Sequence, residues 1–503
     1  MKSGTTPGSD ARHATGATRD ASAEVGQLTA DLSRLMNSHD AARLVLGLLY
    51  LSRTAHVDSR FSDVPTWPWL LRQTTKETVP IRRPVSQCLA HWLPTTDVEG
   101  NEIGMRDAMP SLPPNIDIPL RKLIQAIDSV RQVGGLLDQC LRDLSAVQAR
   151  GSHYFTPHDI ARLMVGVAAP EDGHRVLDPV CGSGGLLAES HRYVRERVGL
   201  NPTMSLRGKE QHAHTSEVAR MNLAVRGIEA RIFPPGDSLA EPETDPYDIV
   251  VANLPFNQPA WAPEDRSRRS SREGRRDRSS VDPRWPDEPP PKGSANSAWI
   301  LHIAHALAPQ GRAAFLMADI VAKSPQLSTQ KLRERLVRDD IVECVIALPP
   351  RVFGHTDTTA CLWVLNQDKS SRSGWGTADR RGQVLFINAR RAFERIPESR
   401  TARRLGDRHA DRILTTLATW RGIPADGSAD LPHRDEPDWS RSCSTDEIAH
   451  RRYDLMPTTY AAEPPGRESS TRSRIDELKR ELVEKLDQVH ALEPQLLDAL
   501  EEI

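Results

Sequence analysis

One stretch of sequence decides the fold: Asp248-Ile249-Val250-Val251-Ala252-Asn253-Leu254-Pro255-Phe256. Ile249 to Val251 lack the polar and apolar alternation of a half-exposed strand, so we expect a strand covered on both faces, as in the parallel sheet of an α/β protein. Ligands of such sheets bind at the carboxyl ends of the strands. The stretch therefore predicts a functional site at Asn253 to Phe256.

The four residues after this strand suit the recognition of a flat ring. Asn253 has a side-chain carbonyl acceptor, Leu254 has a backbone carbonyl acceptor, Pro255 stiffens the loop and Phe256 offers an aromatic face for stacking. Two acceptors and a ring fit the exocyclic amino group of an extruded base. An ordinary Asn-x-Pro turn explains the same residues equally well, so a second motif has to decide.

A glycine-rich loop lies upstream, between an apolar strand and a helix. Arg175 to Leu177 lead into Asp178-Pro179-Val180-Cys181-Gly182-Ser183-Gly184-Gly185, and a helical pattern follows from Leu186 to Val198. Glycines let the backbone approach a ligand closely, and the helix start supplies unpaired amides. The loop is typical of nucleotide-binding folds, although a simple turn also remains open.

Acidic residues follow the next two predicted strands. Glu210 ends the strand Ser205 to Lys209, where its carboxylate can accept hydrogen bonds from ribose hydroxyls. Gly236-Asp237-Ser238 follows a third strand, Ala230 to Phe233, and Asp237 is placed there to accept an adenine amino group. The pattern predicts a cofactor that contains adenosine.

Together these residues resemble the S-adenosylmethionine-dependent DNA amino-methyltransferases, most closely the modification subunit of type I restriction-modification systems. The resemblance runs from about Leu28 to the C-terminus and is strongest between Gly151 and Asn366. Its specificity comes from the order and spacing of several motifs: Tyr154-Phe155-Thr156-Pro157, Asp178 to Gly185, Met221-Asn222-Leu223, Arg226-Gly227-Ile228, Asn253 to Phe256, Asn296 to Trp299, Gly311 to Ala314 and Ala360 to Leu365.

The resemblance implies a Rossmann-like α/β methyltransferase domain with a seven-stranded, mostly parallel sheet whose last strand is antiparallel. It implies methylation of the exocyclic amino group of adenine in double-stranded DNA, together with a specificity subunit and, in a complete system, a restriction subunit. The implied catalytic residues are Asn253, Leu254, Pro255 and Phe256. The implied cofactor-binding residues are Tyr154, Phe155, Thr156, Pro157, Asp178, Pro179, Cys181, Gly182, Ser183, Gly184, Gly185, Glu210, Asp237 and Ser238.

One residue departs from the family pattern, in which the tetrapeptide is usually Asn-Pro-Pro-Phe or Asn-Pro-Pro-Tyr. Leu254 keeps the backbone carbonyl but loses the fixed φ of proline, and with it some preorganisation of that carbonyl. We expect reduced or normal activity. Two alternatives stay open: an amino-methyltransferase acting on cytosine, RNA or glutamine, and a cofactor-binding scaffold without catalysis. Cys181 lies inside the cofactor loop, so we expect a structural role and not that of a nucleophile.

Length, charge and cysteine content limit the classes of protein to which the chain can belong. The 503 residues suggest two or three domains, and 66 basic against 68 acidic residues give no chain-wide signature of nucleic-acid binding. The six cysteines form no Cys-x-x-Cys pair, which argues against a zinc site or a disulfide framework and predicts a cytoplasmic protein without metal. The apolar run Leu44 to Leu51 is too short to span a bilayer, so we expect no membrane segment.

The pattern along the chain predicts four regions: a disordered tail at 1–24, a helical domain at 25–148, the catalytic domain at 149–395, and a helical region at 396–503. Within them, Thr156 is predicted to cap a helix, and Trp67 and Trp69 are placed in a loop. Val384 to Asn388 is predicted as an edge strand.

Two further segments are predicted to contact partners. An insertion at about 262–292 contains seven arginines, Arg266 to Arg278, against Glu273 and Asp277, so we expect it to contact phosphates when nucleic acid binds. Ile475 to Leu496 has apolar residues at heptad positions, and the family resemblance suggests that this helix binds the specificity subunit.

Overall fold

The structure, a computed structural model, describes residues 23–55, 64–76, 78–93, 111–130, 134–148, 156–199, 201–240, 242–256, 258, 261, 282–285, 289–291, 295–353, 359–372, 375–396, 403–423 and 433–461. Four features predicted from the sequence lie outside these residues: the tail before residue 23, Tyr154 with Phe155, the arginine-rich part of the insertion, and the heptad segment Ile475 to Leu496.

A nine-stranded sheet forms the centre of the described chain. Its strands are β1 (Arg175–Asp178), β2 (Ser205–Gly208), β3 (Arg231–Ile232), β4 (Tyr247–Asn253), β5 (Leu307–Ala318), β6 (Val342–Ala347), β7 (Ala360–Asn366), β8 (Gln383–Asn388) and β11 (Ser440–Ser444). Two short strands, β9 (Glu394–Arg395) and β10 (Arg403–Arg404), pair separately. The order across the large sheet is β11-β8-β6-β7-β5-β4-β1-β2-β3.

The strand directions confirm the predicted α/β class. Strands β3, β2, β1, β4 and β5 are parallel neighbours, whereas β7 is antiparallel to both β5 and β6, as the family resemblance implied.

Two strands exceed the expected seven, and both lie beyond β7 in the chain. Strand β8 was predicted at the sheet edge, but β11 pairs with it and covers it. The prediction of a helical region from residue 396 was therefore wrong at β10 and β11, although helices do form between and after them. Ser440-Arg-Ser-Cys-Ser444 has almost no apolar residue to indicate a strand, and it is extended because β8 supplies its hydrogen-bond partners.

Helices surround the sheet and form a separate N-terminal layer. They are α1 (residues 23–32), α2 (Ser38–Thr54), α3 (Trp67–Thr74), α4 (Arg82–Trp92), α5 (Asp117–Ser129), α6 (Gly134–Gln148), α7 (His158–Ala168), α8 (Gly185–Val198), α9 (Ala213–Val225), α10 (Asn296–Ala306), α11 (Asp319–Lys323), α12 (Leu327–Arg338), α13 (Asp407–Arg421), α14 (Thr445–His450) and α15 (Pro457–Tyr460). We call α1 to α6 the N-terminal helical unit; they share one apolar core. No helix in the described ranges is long and apolar enough to cross a membrane.

Two local predictions were wrong for physical reasons. Trp67 and Trp69 lie in α3 and not in a loop, because Thr66 caps the helix and a proline is tolerated in a first helical turn. Thr156 does not cap α7, whose preceding residue is Pro157 and has no side-chain capping bond. The hydroxyl of Thr156 bonds elsewhere, to Asn253.

Strand β4 is buried on both faces, as the apolar run predicted. Ile249 and Val251 lie in the core that also contains α7 and α8. Val250 and Ala252 point to the opposite core, which contains α10. All four side chains are fully buried, so β4 is a rigid support for Leu254 to Phe256, which follow it.

A buried ion pair joins the sheet to α13. The guanidinium of Arg421 donates to Glu343 Oε1 at 2.5 Å and to the carbonyl of Val167 at 2.9 Å, and Trp375 Nε1 donates to the same carboxylate at 3.0 Å. Burial alone would raise the pKa of Glu343, but Arg421 and its neighbours bring that pKa below its ordinary value. The carboxylate is therefore charged and depends on Arg421.

We predict that Arg421→Met lowers the free energy of unfolding by about 3–5 kcal/mol, because Glu343 is left as an uncompensated buried charge. The matched control Arg381→Met breaks the exposed pair with Asp379 and should cost far less, because solvent screens that pair. Urea denaturation of both variants measures the difference. Equal losses would contradict this role of the buried pair.

Candidate functional site

Polar residues from separate strands meet at one edge of the sheet. Strands β3, β2, β1 and β4 are parallel neighbours, so their carboxyl ends lie side by side. Asp178 ends β1 and Asn253 ends β4, while Glu210 and Asp237 lie in the loops after β2 and β3. The structure thus brings together the main residues that the sequence predicted for the site.

The glycine loop after β1 is held by its own backbone and by the next strand end. Cys181 N donates to the carbonyl of Lys209 at 2.8 Å, and Gly184 N donates to the carbonyl of Cys181 at 2.8 Å. Gly182 and Gly184 have φ angles of 52° and 78°, in the left-handed region that favours glycine. The loop therefore ends in a tight turn that leads directly into α8.

Helix α9 packs against this loop, a contact that the sequence did not predict. The buried amide of Asn222 donates from Nδ2 to the carbonyl of Ser183 at 2.7 Å. A Cβ at Gly184 would lie 3.3 Å from Leu223 Cδ1, so the loop packs closely on this helix. Asn222 lies within a motif of the family resemblance, and its helical spacing from Arg226 is the sequence signal for this contact.

Two acidic residues organise the loop. Asp178 is buried and accepts a hydrogen bond from Val180 N at 3.1 Å. Burial raises the pKa of Asp178 to about 8, with the Val180 bond opposing and the charge of Glu210 adding to the increase. Glu210 accepts from Gly182 N at 3.2 Å and from His212 N at 2.9 Å. Its Oε1 also lies 3.2 Å from Nδ1 of His212, and because a carboxylate has about four lone-pair sites, Glu210 retains capacity for a further donor.

The Asp237 loop is connected to both of its neighbours. Ser238 Oγ donates to the carbonyl of Pro179 at 2.6 Å, and Gly236 N donates to the carbonyl of Glu210 at 3.1 Å. Asp237 itself is exposed, and its Oδ1 accepts from Leu239 N at 2.9 Å. The loops after β1, β2 and β3 therefore form one hydrogen-bonded surface with an exposed carboxylate.

Buried Arg284, which no sequence pattern marks, also supports this surface. It donates from Nη2 to the carbonyl of Leu239 at 3.0 Å and to Asp282 Oδ2 at 2.6 Å. Its side chain is fully buried. The chain returning from the insertion is thereby attached to the Asp237 loop.

Asn253 is oriented by Thr156. Its Nδ2 donates to the hydroxyl of Thr156 at 3.0 Å, which turns the carbonyl oxygen of the amide away from Thr156. Leu254 is 1% exposed and packs in the core on the α10 side, while Phe256 is partly buried against the other core. Packing of the Leu254 side chain restrains a backbone that lacks the proline ring.

The buried thiol of Cys181 is unsuited to act as a nucleophile. Burial, followed by the charges of Asp178 and Glu210, raises the pKa of the Cys181 thiol well above its ordinary value. The thiol is therefore protonated and suits a structural role. Across the described ranges, no group of three or more His, Cys, Asp or Glu residues is arranged to hold a metal ion.

Curated relatives are similar to the larger part of the chain. Over 314 residues it is 32% identical to the type I restriction enzyme HindI methylase subunit of Haemophilus influenzae, covering 62% of this chain and 64% of that protein. It is 27% identical over 386 residues to the type I restriction enzyme MjaIX methylase subunit of Methanocaldococcus jannaschii, covering 73% of this chain and 63% of that protein. The chain thus matches slightly less than two thirds of the length of these relatives.

The fold is similar to the crystal structure of a type I restriction-modification system methyltransferase subunit from Streptococcus thermophilus. The TM-score is 0.67 at 16% identity, covering 88% of this chain and 99% of that one, and at this identity the likeness shows a shared fold. The family model for N-6 DNA methylases matches residues 130–469, which include every loop of the edge described above. This chain belongs to the N-6 DNA methylase family.

Proposed function

We propose that this chain transfers a methyl group from S-adenosylmethionine to the exocyclic amino group of adenine in DNA, as the modification subunit of a type I restriction-modification system. The observation that carries the proposal is the meeting of Asp178, Glu210, Asp237 and Asn253 at one sheet edge. Family membership supports it, as do the names of the curated relatives.

The residues at this edge fit a cationic cofactor that contains adenosine. Gly182 and Gly184 place backbone without side chains beside the strand ends, and the left-handed φ angles disfavour any other residue there. We assign the exposed Asp237 to the adenine amino group, Glu210 to the ribose hydroxyls and Asp178 to the cationic end. Tyr154 to Pro157 and the rest of the glycine loop would complete the cofactor pocket.

Bound S-adenosylmethionine supplies an electrophilic methyl group. The adenine amino nitrogen is a poor nucleophile, because its lone pair is delocalised into the ring. Acceptance of its hydrogens by the side-chain carbonyl of Asn253 and the backbone carbonyl of Leu254 would localise that lone pair and aim it at the methyl carbon. Phe256 would stack on the extruded base, and Pro255 would stiffen the loop.

A scaffold that binds the cofactor without catalysis is the second candidate. The observation behind it is Leu254, which stands where the family usually has proline and so lacks a fixed φ. Burial of the Leu254 side chain restrains this position by packing, which supports the catalytic proposal over the scaffold.

The proposed partners are double-stranded DNA, a specificity subunit and, in the complete system, a restriction subunit. We also propose that the N-terminal helical unit (25–148) and the region from 396 serve these contacts, around a catalytic domain that starts near residue 149. The arginine-rich insertion and the helix Ile475 to Leu496 lie outside the described residues, so their roles stay predictions from the sequence.

We predict that S-adenosylmethionine binds more tightly as pH rises from 6 to 8. The pKa of Asp178, raised to about 8 in the free chain, makes this carboxyl largely protonated at neutral pH, and a cationic ligand favours the ionised form. Binding should therefore release up to about one proton, and affinity should level off above the raised pKa. Isothermal titration calorimetry in buffers of different ionisation enthalpy measures this proton release.

The control for that experiment is Asp178→Asn, which keeps the size of the side chain and removes its titration. This variant should bind the cofactor about 1–3 kcal/mol more weakly at pH 8 and should lose the proton release. An unchanged pH dependence in the variant would contradict the assignment of Asp178.

We predict that Asn253→Ala lowers methyl transfer at least about 100-fold while leaving S-adenosylmethionine affinity nearly unchanged, because its acceptor serves the reacting amino group. Thr156→Val should lower transfer less, since Thr156 orients the Asn253 amide and does not itself accept from the reacting amino group. The assay follows labelled methyl groups into DNA in the presence of the specificity subunit, and mass spectrometry of the digested product identifies N6-methyladenine.

Leu254→Pro separates the two candidate functions in the same assay. Restored preorganisation of the backbone carbonyl should keep or raise turnover. Cofactor binding without methyl transfer, in both the natural chain and Leu254→Pro, would instead favour the scaffold. Methylated cytosine as the product would overturn the adenine assignment.

A further inference from the structure

Helix α9 separates two apolar cores and takes part in both. Val218, Met221 and Val225 recur at helical spacing on one face and belong to the core of the N-terminal helical unit. Ala219 and Leu223 lie on a neighbouring face and pack against Gly184 of the glycine loop. The helix that supports the loop is therefore also the surface on which the N-terminal helical unit docks.

A chain of polar contacts follows the boundary between these two faces. Asp138 of α6 forms an ion pair with Arg226 Nη2. Arg226 Nε donates to Asn222 Oδ1 at 2.9 Å, and Asn222 Nδ2 donates to the carbonyl of Ser183 at 2.7 Å. The contacts lead without a break from the N-terminal helical unit to the glycine loop.

Each contact orients the next one. An amide has one acceptor end and one donor end, so the bond from Arg226 to Oδ1 turns Nδ2 of Asn222 toward Ser183. Asn222 is fully buried, which makes its amide costly to leave unpaired. The carboxylate of Asp138 fixes the direction of the guanidinium through a charge-assisted bond. Loss of Asp138 should thus loosen the position of the Ser183 carbonyl, although Ser183 lies in the glycine loop and Asp138 in the N-terminal helical unit.

We propose that Asp138, Arg226 and Asn222 form a positioning relay through which docking of the N-terminal helical unit sets the conformation of the glycine loop and its affinity for S-adenosylmethionine. The effect on affinity rests on the proposed function of the loop, whereas the effect on loop conformation does not. These three residues are positioning residues, since they act through the backbone of Ser183. By linkage, cofactor binding stabilises the docked arrangement of the helical unit to the same extent.

The test compares Asp138→Asn with Asp31→Asn in the full chain. Both changes remove one carboxylate from an ion pair of the N-terminal helical unit, and the two side chains are similarly exposed, 37% for Asp138 and 39% for Asp31. The partner of Asp31 is Arg34 of the same unit, which has no part in the relay. Hydrogen exchange of the amides of residues 180–186, measured without ligand, reports the loop directly.

Asp138→Asn should speed exchange in this loop and weaken S-adenosylmethionine binding, each by roughly two- to tenfold, because the ion pair of Asp138 is partly exposed and acts on the loop only through Arg226 and Asn222. Asp31→Asn should leave the loop exchange rate and the S-adenosylmethionine affinity unchanged. The two variants should have equal melting temperatures. In an Arg226→Gln background, Asp138→Asn should add nothing, because the relay is already broken. Asp138→Glu, which keeps the charge, should restore most of the natural behaviour.

Loop exchange in Asp138→Asn that equals that of Asp31→Asn would overturn the relay, as would additive effects of Asp138→Asn and Arg226→Gln. A natural chain that does not bind S-adenosylmethionine would refute the proposed function instead. In that case the exchange measurements still decide whether the relay exists.

Discussion

The parallel alignment of β4, β1, β2 and β3 is the constraint on which the site depends. In a parallel ladder all carboxyl ends reach the same edge, and neighbouring strands lie about 4.8 Å apart. Residues far apart in sequence, such as Asp178 and Asn253, therefore end adjacent strands at a common edge. The two-sided burial of β4 makes this edge stiff, because Ile249 and Val251 are locked in one core and Val250 and Ala252 in the other. Catalysis by orientation requires such stiffness, since it depends on holding reacting atoms within a narrow range of positions.

The loops at this edge are held in place by hydrogen bonds to one another and to Arg284. Ser238 bonds to Pro179, Gly236 bonds to Glu210, and buried Arg284 bonds to Leu239. Each of these bonds uses a backbone carbonyl, so the loop conformation is maintained without consuming the exposed carboxylate of Asp237. Helix α9 adds support from the side of the N-terminal helical unit. The positions of these loops are thus fixed largely by hydrogen bonds to backbone carbonyls.

The sequence predicted what depends on local apolar pattern and on the polar residues beside it. Strands β1 to β4 and β8 were anticipated at nearly their observed positions, because their apolar runs are bounded by charged, glycine or proline residues. Strand β11 was missed because its extended state comes from pairing with β8 and not from its own residues. The bonds from Asn253 to Thr156 and from Asn222 to Ser183 join residues 97 and 39 positions apart. No local pattern predicts such contacts, and they determine how the predicted residues are oriented.

The central claim is that one sheet edge holds the cofactor and presents its methyl group to Asn253. A crystal structure of the full chain with S-adenosylmethionine tests it most directly. We expect adenine beside Asp237, ribose hydroxyls on Glu210 and the sulfonium methyl directed toward the carbonyl oxygen of Asn253. A cofactor bound away from the ends of β1, β2 and β3, or one whose methyl group faces away from Asn253, would contradict the account.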